Sequence, residues 1–190
     1  MKNWDPNLGW ILPDEYYSAY QGVTDDGRTH LGWLEAMSPE RILSYWHSRV
    51  GDWHDRHGRH AEALRAYRRA LAASPDDFDA ANRLAWLLAT CPRADLRDAR
   101  EAVAIATRLV ARFPRAEWVD TLAAALAETG DFAAAIATIQ DSPRVGAASP
   151  GGAGASDVAS DPSDAVRAYA RGMTYREGIE AGVIYDPRPP

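Results

Sequence analysis

The sequence has little cysteine, no long apolar run and no excess of positive charge. Its single cysteine, Cys91, excludes an internal disulfide, and its place beside Pro92 indicates a small packing residue rather than a nucleophile. No apolar stretch approaches the roughly 20 residues that a membrane span needs, and the first residues, MKNWDPNLGW, lack the regions of a signal peptide. The net charge of −6 argues against a nucleic-acid partner. We therefore expect a cytoplasmic protein that contacts neither nucleic acid nor membrane.

Motifs of catalytic sites are also lacking. The sequence has no G-x-S-x-G elbow, no H-E-x-x-H helix, no phosphate-binding loop with a following lysine and no dinucleotide-binding fingerprint. Its paired acids, Asp25-Asp26 and Asp76-Asp77, stand beside Gly27 and Pro75, where turns and helix caps explain them. The sequence therefore predicts a non-catalytic chain without a cofactor.

What the sequence does contain is helical periodicity, beginning with a hairpin of two helices. Spacings of three and four place apolar residues on one face of each helix. Gly58 separates the two helices, Pro75 ends the second, and Ser38-Pro39-Glu40 is a start signal for the first. The apolar positions are Leu43, Trp46, Val50 and Trp53 in the first helix, and Ala63, Leu64, Tyr67, Ala70 and Leu71 in the second.

This hairpin resembles a tetratricopeptide repeat. The family pattern, W-x2-L-G-x2-Y, then A-x3-F, then P, falls on His47, Val50, Gly51, His54, Ala63, Tyr67 and Pro75. A second copy begins with Ala81, Leu84 and Ala85, and the interval from Gly51 to Ala85 (85 − 51) is 34 residues, which is the family period. A third copy has Val119, Leu122, Ala123 and Leu126, with Gly130 at its turn. The repeats span about 40–75, 78–114 and 117–140, the second interrupted by Pro92 and capped by Asp98.

The resemblance implies an all-α fold in which helical hairpins stack as a short right-handed solenoid, and a function as a protein-protein interaction scaffold. In this family the first helices of the repeats line a concave groove that binds peptides or partner helices. The inward-facing places transfer to Arg49, Asp52, Arg56, Asn82, Trp86, Asp120, Ala124 and Glu128.

The residues of this groove indicate its ligand. Only Asn82 matches the clamp of chaperone-binding relatives, so we do not expect a chaperone tail as the ligand. An aromatic or apolar group at Trp86 and a basic side chain near Asp120 or Glu128 suit these residues better. The alternative is that the charged positions are solvated helix faces, and self-association also stays open.

The flanks do not follow the repeat. Residues 1–37 are rich in tryptophan and tyrosine and are interpreted as an N-terminal cap on the array or as an aromatic recognition patch. A second interpretation makes the chain the regulatory or substrate-presenting part of an enzyme or complex that docks through this segment. Residues 141–162, rich in glycine, alanine and serine, are expected to form a flexible linker. Residues 163–190 are expected to form a docking helix followed by an extended tail.

Four histidines cluster in the first repeat: His47, His54, His57 and His60. Two of them occupy places where the family packs aromatic rings, and His60 follows the turn. No cysteine or matched carboxylate completes a tetrahedral set of ligands, so we do not expect a metal site.

Overall fold

The computed structural model describes residues 4–5, 9–10, 38–141 and 162–185. The chain divides into two compact units, residues 1–37 with 147–154 and residues 38–146 with 155–190. In the first unit, β1 (Trp4–Asp5) pairs antiparallel with β2 (Gly9–Trp10), and Trp4 lies opposite Trp10. The rest of the expected N-terminal cap lies outside the described residues, as does the expected linker apart from its two end residues.

The first hairpin consists of α1 (Pro39–Arg56) and α2 (His60–Ala73). Ser38 begins α1 as predicted, because its side chain accepts a hydrogen bond from the Arg41 backbone N–H at 3.3 Å. Gly58 follows the end of α1 with a φ of 69°, in the left-handed region that glycine adopts without steric cost. The chain therefore reverses at the predicted place.

The second hairpin consists of α3 (Phe78–Thr90) and α4 (Ala99–Arg112), with a 3-10 turn (Ala94–Leu96) between them. The helix break at Pro92 is confirmed, since α3 ends before it. The predicted cap at Asp98 is also confirmed, because its carboxylate accepts the Glu101 backbone N–H at 2.9 Å.

The third hairpin consists of α5 (Ala116–Glu128) and α6 (Phe132–Asp141), with Gly130 at the turn. Aromatic rings join it to the second hairpin. The ring centroid of Phe78 lies 5.9 Å from that of Phe113 and 6.1 Å from that of Trp118. Edge-on and tilted contacts of this kind add to the stabilisation that burial itself gives.

These helices pack in series. Each hairpin pairs its own two helices, α2 contacts α3, α4 contacts α5, and the first helices contact one another from α1 to α3 to α5. Small side chains fill the contacts, so the helix axes can approach closely. The arrangement confirms the predicted all-α fold of stacked helical hairpins. Fully buried alanines at these contacts are Ala63, Ala70, Ala85, Ala102, Ala106, Ala123 and Ala135.

Beyond the array, α7 (Pro162–Ala170) packs on α6, and α8 (Tyr175–Glu180) packs on α7 and also contacts α5. Helix α8 was not predicted from the sequence. Thr174 accepts the Glu177 backbone N–H at 3.3 Å, and the Glu177 carboxylate accepts the Thr174 backbone N–H at 2.8 Å. This reciprocal capping box starts a helix that is too short for periodicity alone to indicate.

Helix α1 presents its large apolar side chains outward. Trp46 is 63% exposed and Leu43 is 51% exposed, although periodicity placed them on the apolar face. The face turned towards the rest of the array is instead made of Ser44, Ser48 and Gly51, all of them buried. Small residues there allow α2 to lie close against α1.

Helices α1 and α2 approach closely at Gly51, and this contact generates a stability prediction. A Cβ on Gly51 would lie 2.5 Å from Cε1 of Tyr67. The ring has little room to move, because its hydroxyl donates to Asp52 at 3.0 Å. We expect Gly51→Ala to lower the free energy of unfolding by about 1–3 kcal/mol, as overpacking does. Urea denaturation followed by circular dichroism measures the change.

The same substitution in a Tyr67→Leu background is the matched control. Without the ring, the added methyl group has space, and alanine is the better helix former by roughly 0.5–1 kcal/mol. Gly51→Ala should therefore cost much less in that background. An equal cost in both backgrounds would contradict the proposed clash.

Candidate functional site

The candidate site is the surface of the first helices α1, α3 and α5, which carry the residues predicted to line the groove. All three helices contact their neighbours in series, so the predicted residues lie on adjacent helices. The structure arranges them in three groups that bond within the molecule: one around Asp52, one around Trp86 and one around Glu128.

Asp52 is the centre of the first group. Its Oδ1 accepts hydrogen bonds from the Tyr67 hydroxyl at 3.0 Å and lies 2.7 Å from Nε of Arg83, while Oδ2 lies 3.2 Å from the Arg49 guanidinium. The Asp52 side chain is only 14% exposed. Burial, followed by the charge of Asp52, raises the pKa of the Tyr67 phenol above its ordinary value. This carboxylate therefore joins α1 to both α2 and α3.

Two other predicted residues of α1 lie beside Asp52. Arg49 and Arg56 are both exposed, and Nε of Arg56 donates to the Asp52 carbonyl oxygen at 3.2 Å. Asn82 lies on α3 next to Arg83 in sequence and is partly buried. Its Oδ1 is buried without a hydrogen-bond partner among the residues that the structure describes. A buried acceptor in that state costs roughly 1–3 kcal/mol, so a donor at this point would be stabilising.

Trp86 contacts the chain's own C-terminal segment. Its ring lies edge-on against Tyr175 of α8, with centroids 4.9 Å apart. Tyr175 is 4% exposed and Trp86 is partly buried. The aromatic anchor that the sequence predicted for a ligand is thus in contact with a tyrosine at the start of a short helix.

Asp120 on α5 lies near this segment, whereas Glu128 of the same helix is bonded to Arg97. Burial raises the pKa of the Tyr169 phenol of α7, and the charges of Tyr175 and Asp120 add to the increase. Glu128 accepts from Nε of Arg97 at 2.6 Å, with both side chains mostly buried. Arg97 also donates to the Cys91 carbonyl oxygen at 2.8 Å.

Sequence reasoning missed Arg83, Arg97 and Tyr175. The two arginines pair with carboxylates 31 residues away in each case, Arg83 with Asp52 and Arg97 with Glu128. A repeat of about 34 residues brings Arg83 of α3 and Asp52 of α1 together, so the period itself was the available signal there, whereas Arg97 lies in the insertion between α3 and α4. For Tyr175 the signal was the Thr174 and Glu177 capping box just around it.

His57, His60 and Cys91 contact other parts of the chain. His57 stacks on Trp53 with ring centroids 4.3 Å apart, and Nδ1 of His60 lies 3.0 Å from Asp55 Oδ1. In the part of the chain that the structure describes, no group of three or more potential metal ligands occurs. Cys91 is fully buried, and this burial raises the pKa of its thiol.

Comparisons with known proteins bear on the repeat. A family model described as a tetratricopeptide repeat matches residues 35–145. In comparisons with curated proteins and with solved structures, no match was found. Separately, none of the helices in the described residues is both long enough and apolar enough to cross a membrane.

The group around Asp52 gives a testable prediction. We expect Asp52→Asn to lower the free energy of unfolding by about 1–3 kcal/mol, because Arg83 and the Tyr67 hydroxyl both lose a charged acceptor. Thermal or urea denaturation at neutral pH measures the loss. Asp79→Asn is the control, since Asp79 is an exposed acid on α3. Equal stability of the two variants would show that the Asp52 contacts contribute nothing.

Proposed function

We propose that this chain, which belongs to the tetratricopeptide-repeat family, is a non-catalytic scaffold that binds a peptide or a partner helix on the surface of α1, α3 and α5. Repeats of this family mediate protein-protein interactions. Trp86 is the apolar anchor. Arg49, Asp52, Arg56, Asn82, Asp120 and Glu128 supply polar specificity around it.

The contact between Trp86 and Tyr175 carries this proposal. A short helix with an aromatic side chain at its first residue lies against Trp86 with rings 4.9 Å apart. The surface therefore has the shape and chemistry to hold such a helix. A partner with an aromatic residue on a helix would make the same contact, which is the helix-in-groove mode of recognition.

The charges around Trp86 favour a partner that also carries a basic side chain. Asp120 lies close enough to Tyr169 for its charge to affect the pKa of that phenol, and Glu128 is already held by Arg97. A partner's lysine or arginine near Asp120 would form a charge-assisted hydrogen bond. Buried and partly buried bonds of this kind select among partners with similar apolar anchors.

Binding at this surface involves competition with the C-terminal segment. While Tyr175 contacts Trp86, a partner must displace it, and the apparent affinity falls in proportion to the fraction of molecules in which the surface is open. Helix α7 is held independently by its contacts with α6. Opening this surface therefore requires α8 to move. Gly172, whose φ is 69°, lies in the connection between α7 and α8.

Affinity capture from the lysate of the native host tests the proposal with three single substitutions. Trp86→Ala should remove the specifically retained proteins, because the anchor is lost. Tyr175→Ala should increase the amount retained, because the internal competitor is weakened. Trp46→Ala, a matched tryptophan substitution on the outer face of α1, should leave these proteins unchanged. Quantitative mass spectrometry of the retained proteins is the measurement.

Circular dichroism must first show that each variant has the helix content of the original chain. The proteins held at this surface are those lost with Trp86→Ala and unaffected by Trp46→Ala. Survival of every retained protein in Trp86→Ala would place recognition elsewhere and contradict the proposal. A decrease with Tyr175→Ala would mean that α8 is part of the binding surface, and would contradict the competition.

A further inference from the structure

The outer face of α1 is an apolar stripe, which we define as Ile42, Leu43, Trp46, Val50 and Trp53. At 100° per residue these positions fall within about 100° of the helix circumference. All five are exposed, from 43% for Trp53 to 63% for Trp46. The buried Ser44, Ser48 and Gly51 lie on the opposite side. Contiguous apolar exposure of this kind marks interaction surfaces.

The stripe continues into a groove between α1 and α2. This open groove has a volume of about 320 Å³, and Val50 belongs to both the groove and the stripe. His47 and His54 line it from α1, and Ala66 lines it from α2. The surface thus has an apolar ridge with an open groove beside it.

Arginines border this surface on both sides. Arg49 and Arg56 lie next to the stripe on the helix circumference, and Arg65 and Arg69 line the far side of the groove. Arg59 lies over the Trp53 ring, 5.1 Å from its centroid. The nearby carboxylates are engaged within the molecule: Asp52 with Tyr67, Arg83 and Arg49, Asp55 with His60, and Glu62, which also lines the groove, with Arg65. The border is positive, although the whole chain has a charge of −6.

This charge pattern argues against a second copy of the chain as the occupant. In a two-fold pair of antiparallel α1 helices, each border faces its own copy, so Arg49 and Arg56 would face the same arginines. In a parallel pair, they would face the border that carries Arg65 and Arg69. Like charges at a helix interface are destabilising in both arrangements.

We propose that the apolar stripe and the adjoining groove bind an amphipathic helix of a partner protein that carries acidic residues along both borders of its apolar face. The stripe and the groove do not include Trp86, and this proposal does not depend on the function proposed there, although Arg49 and Arg56 border both surfaces. The apolar contact supplies affinity through Trp46 and Trp53, and the arginines select the acidic partner.

Synthetic peptides test the proposal on the full chain. The probe is a fluorescent amphipathic peptide about as long as α1, with leucines on one face and glutamates along both borders. Its matched control has lysines in place of the glutamates. We expect fluorescence anisotropy to show binding of the glutamate peptide, with an affinity about tenfold or more higher than that of the lysine peptide.

Substitutions locate the binding. Trp46→Ala should weaken binding of the glutamate peptide about tenfold or more, as loss of an aromatic anchor does, whereas Trp86→Ala should leave it unchanged. Arg56→Glu with Arg69→Glu should reverse the preference between the peptides. Equal affinity for both peptides, or undiminished binding by Trp46→Ala, would overturn the proposal. Trp86→Ala should remove retained proteins in the lysate experiment but should leave peptide binding unchanged. Failure of one site is therefore distinguishable from failure of the other.

Thiol labelling of the full chain tests the other possible occupants. Trp46→Cys introduces a thiol in the stripe, Ala111→Cys introduces one at an exposed position of α4, and the native Cys91 is buried and provides the background. We expect both introduced thiols to react with a maleimide at similar rates at every protein concentration. Protection in the stripe that disappears on dilution would assign the face to a second copy. Protection independent of concentration would assign it to another segment of the same chain, and either result overturns the proposal.

Discussion

The contact of Tyr67 with Gly51 and Asp52 is the interaction on which the first part of the array depends. Gly51 leaves space for the Tyr67 ring, and any side chain at position 51 would fill that space. The Tyr67 hydroxyl then reaches Asp52. The same carboxylate lies 2.7 Å from Arg83 of the next repeat. One glycine thus fixes the distance between α1 and α2, and one carboxylate extends that arrangement to α3. Breaking a partly buried charge pair of this kind is destabilising, so such pairs also fix how the hairpins are placed.

This constraint determines which side of α1 faces outward. Tyr67 occupies the space beside Gly51, and the rest of the inner face of the helix is also made of small buried residues, Ser44 and Ser48. The large apolar residues that give α1 its periodicity are on the other side. At the opposite end of the array, α6 has the equivalent position, and α7 covers it with buried Ala165 and Tyr169. The described part of the chain therefore covers one end of the array and leaves an apolar face at the other.

Much of the fold was predictable because local signals and the repeat period agree. Ser38, Asp98, Gly58 and Gly130 each mark a helix end by chemistry that acts over three or four residues, and the structure confirms them. The direction of the α1 face was not predictable from spacing, because periodicity shows that residues share a side but not what lies on it. The small residues Ser44, Ser48 and Gly51 indicate which face of α1 packs against the array. Helix α8 has six residues, fewer than two turns, so only its capping box could reveal it.

The candidate groove illustrates a different limit of prediction from sequence. Resemblance to the family assigned Trp86, Asp120 and Glu128 to a ligand surface, but it carries no information about segments outside the repeat. Tyr175 and Arg97 both lie at places that the repeat pattern does not define, and they contact Trp86 and Glu128 respectively. Under the proposed function, contacts within the chain compete with contacts to a partner, and only differential binding free energy can shift such an equilibrium. A partner at this surface must therefore interact with Trp86 more favourably than a tethered tyrosine does, whereas a helix on the outer face of α1 meets no such competitor among the described residues.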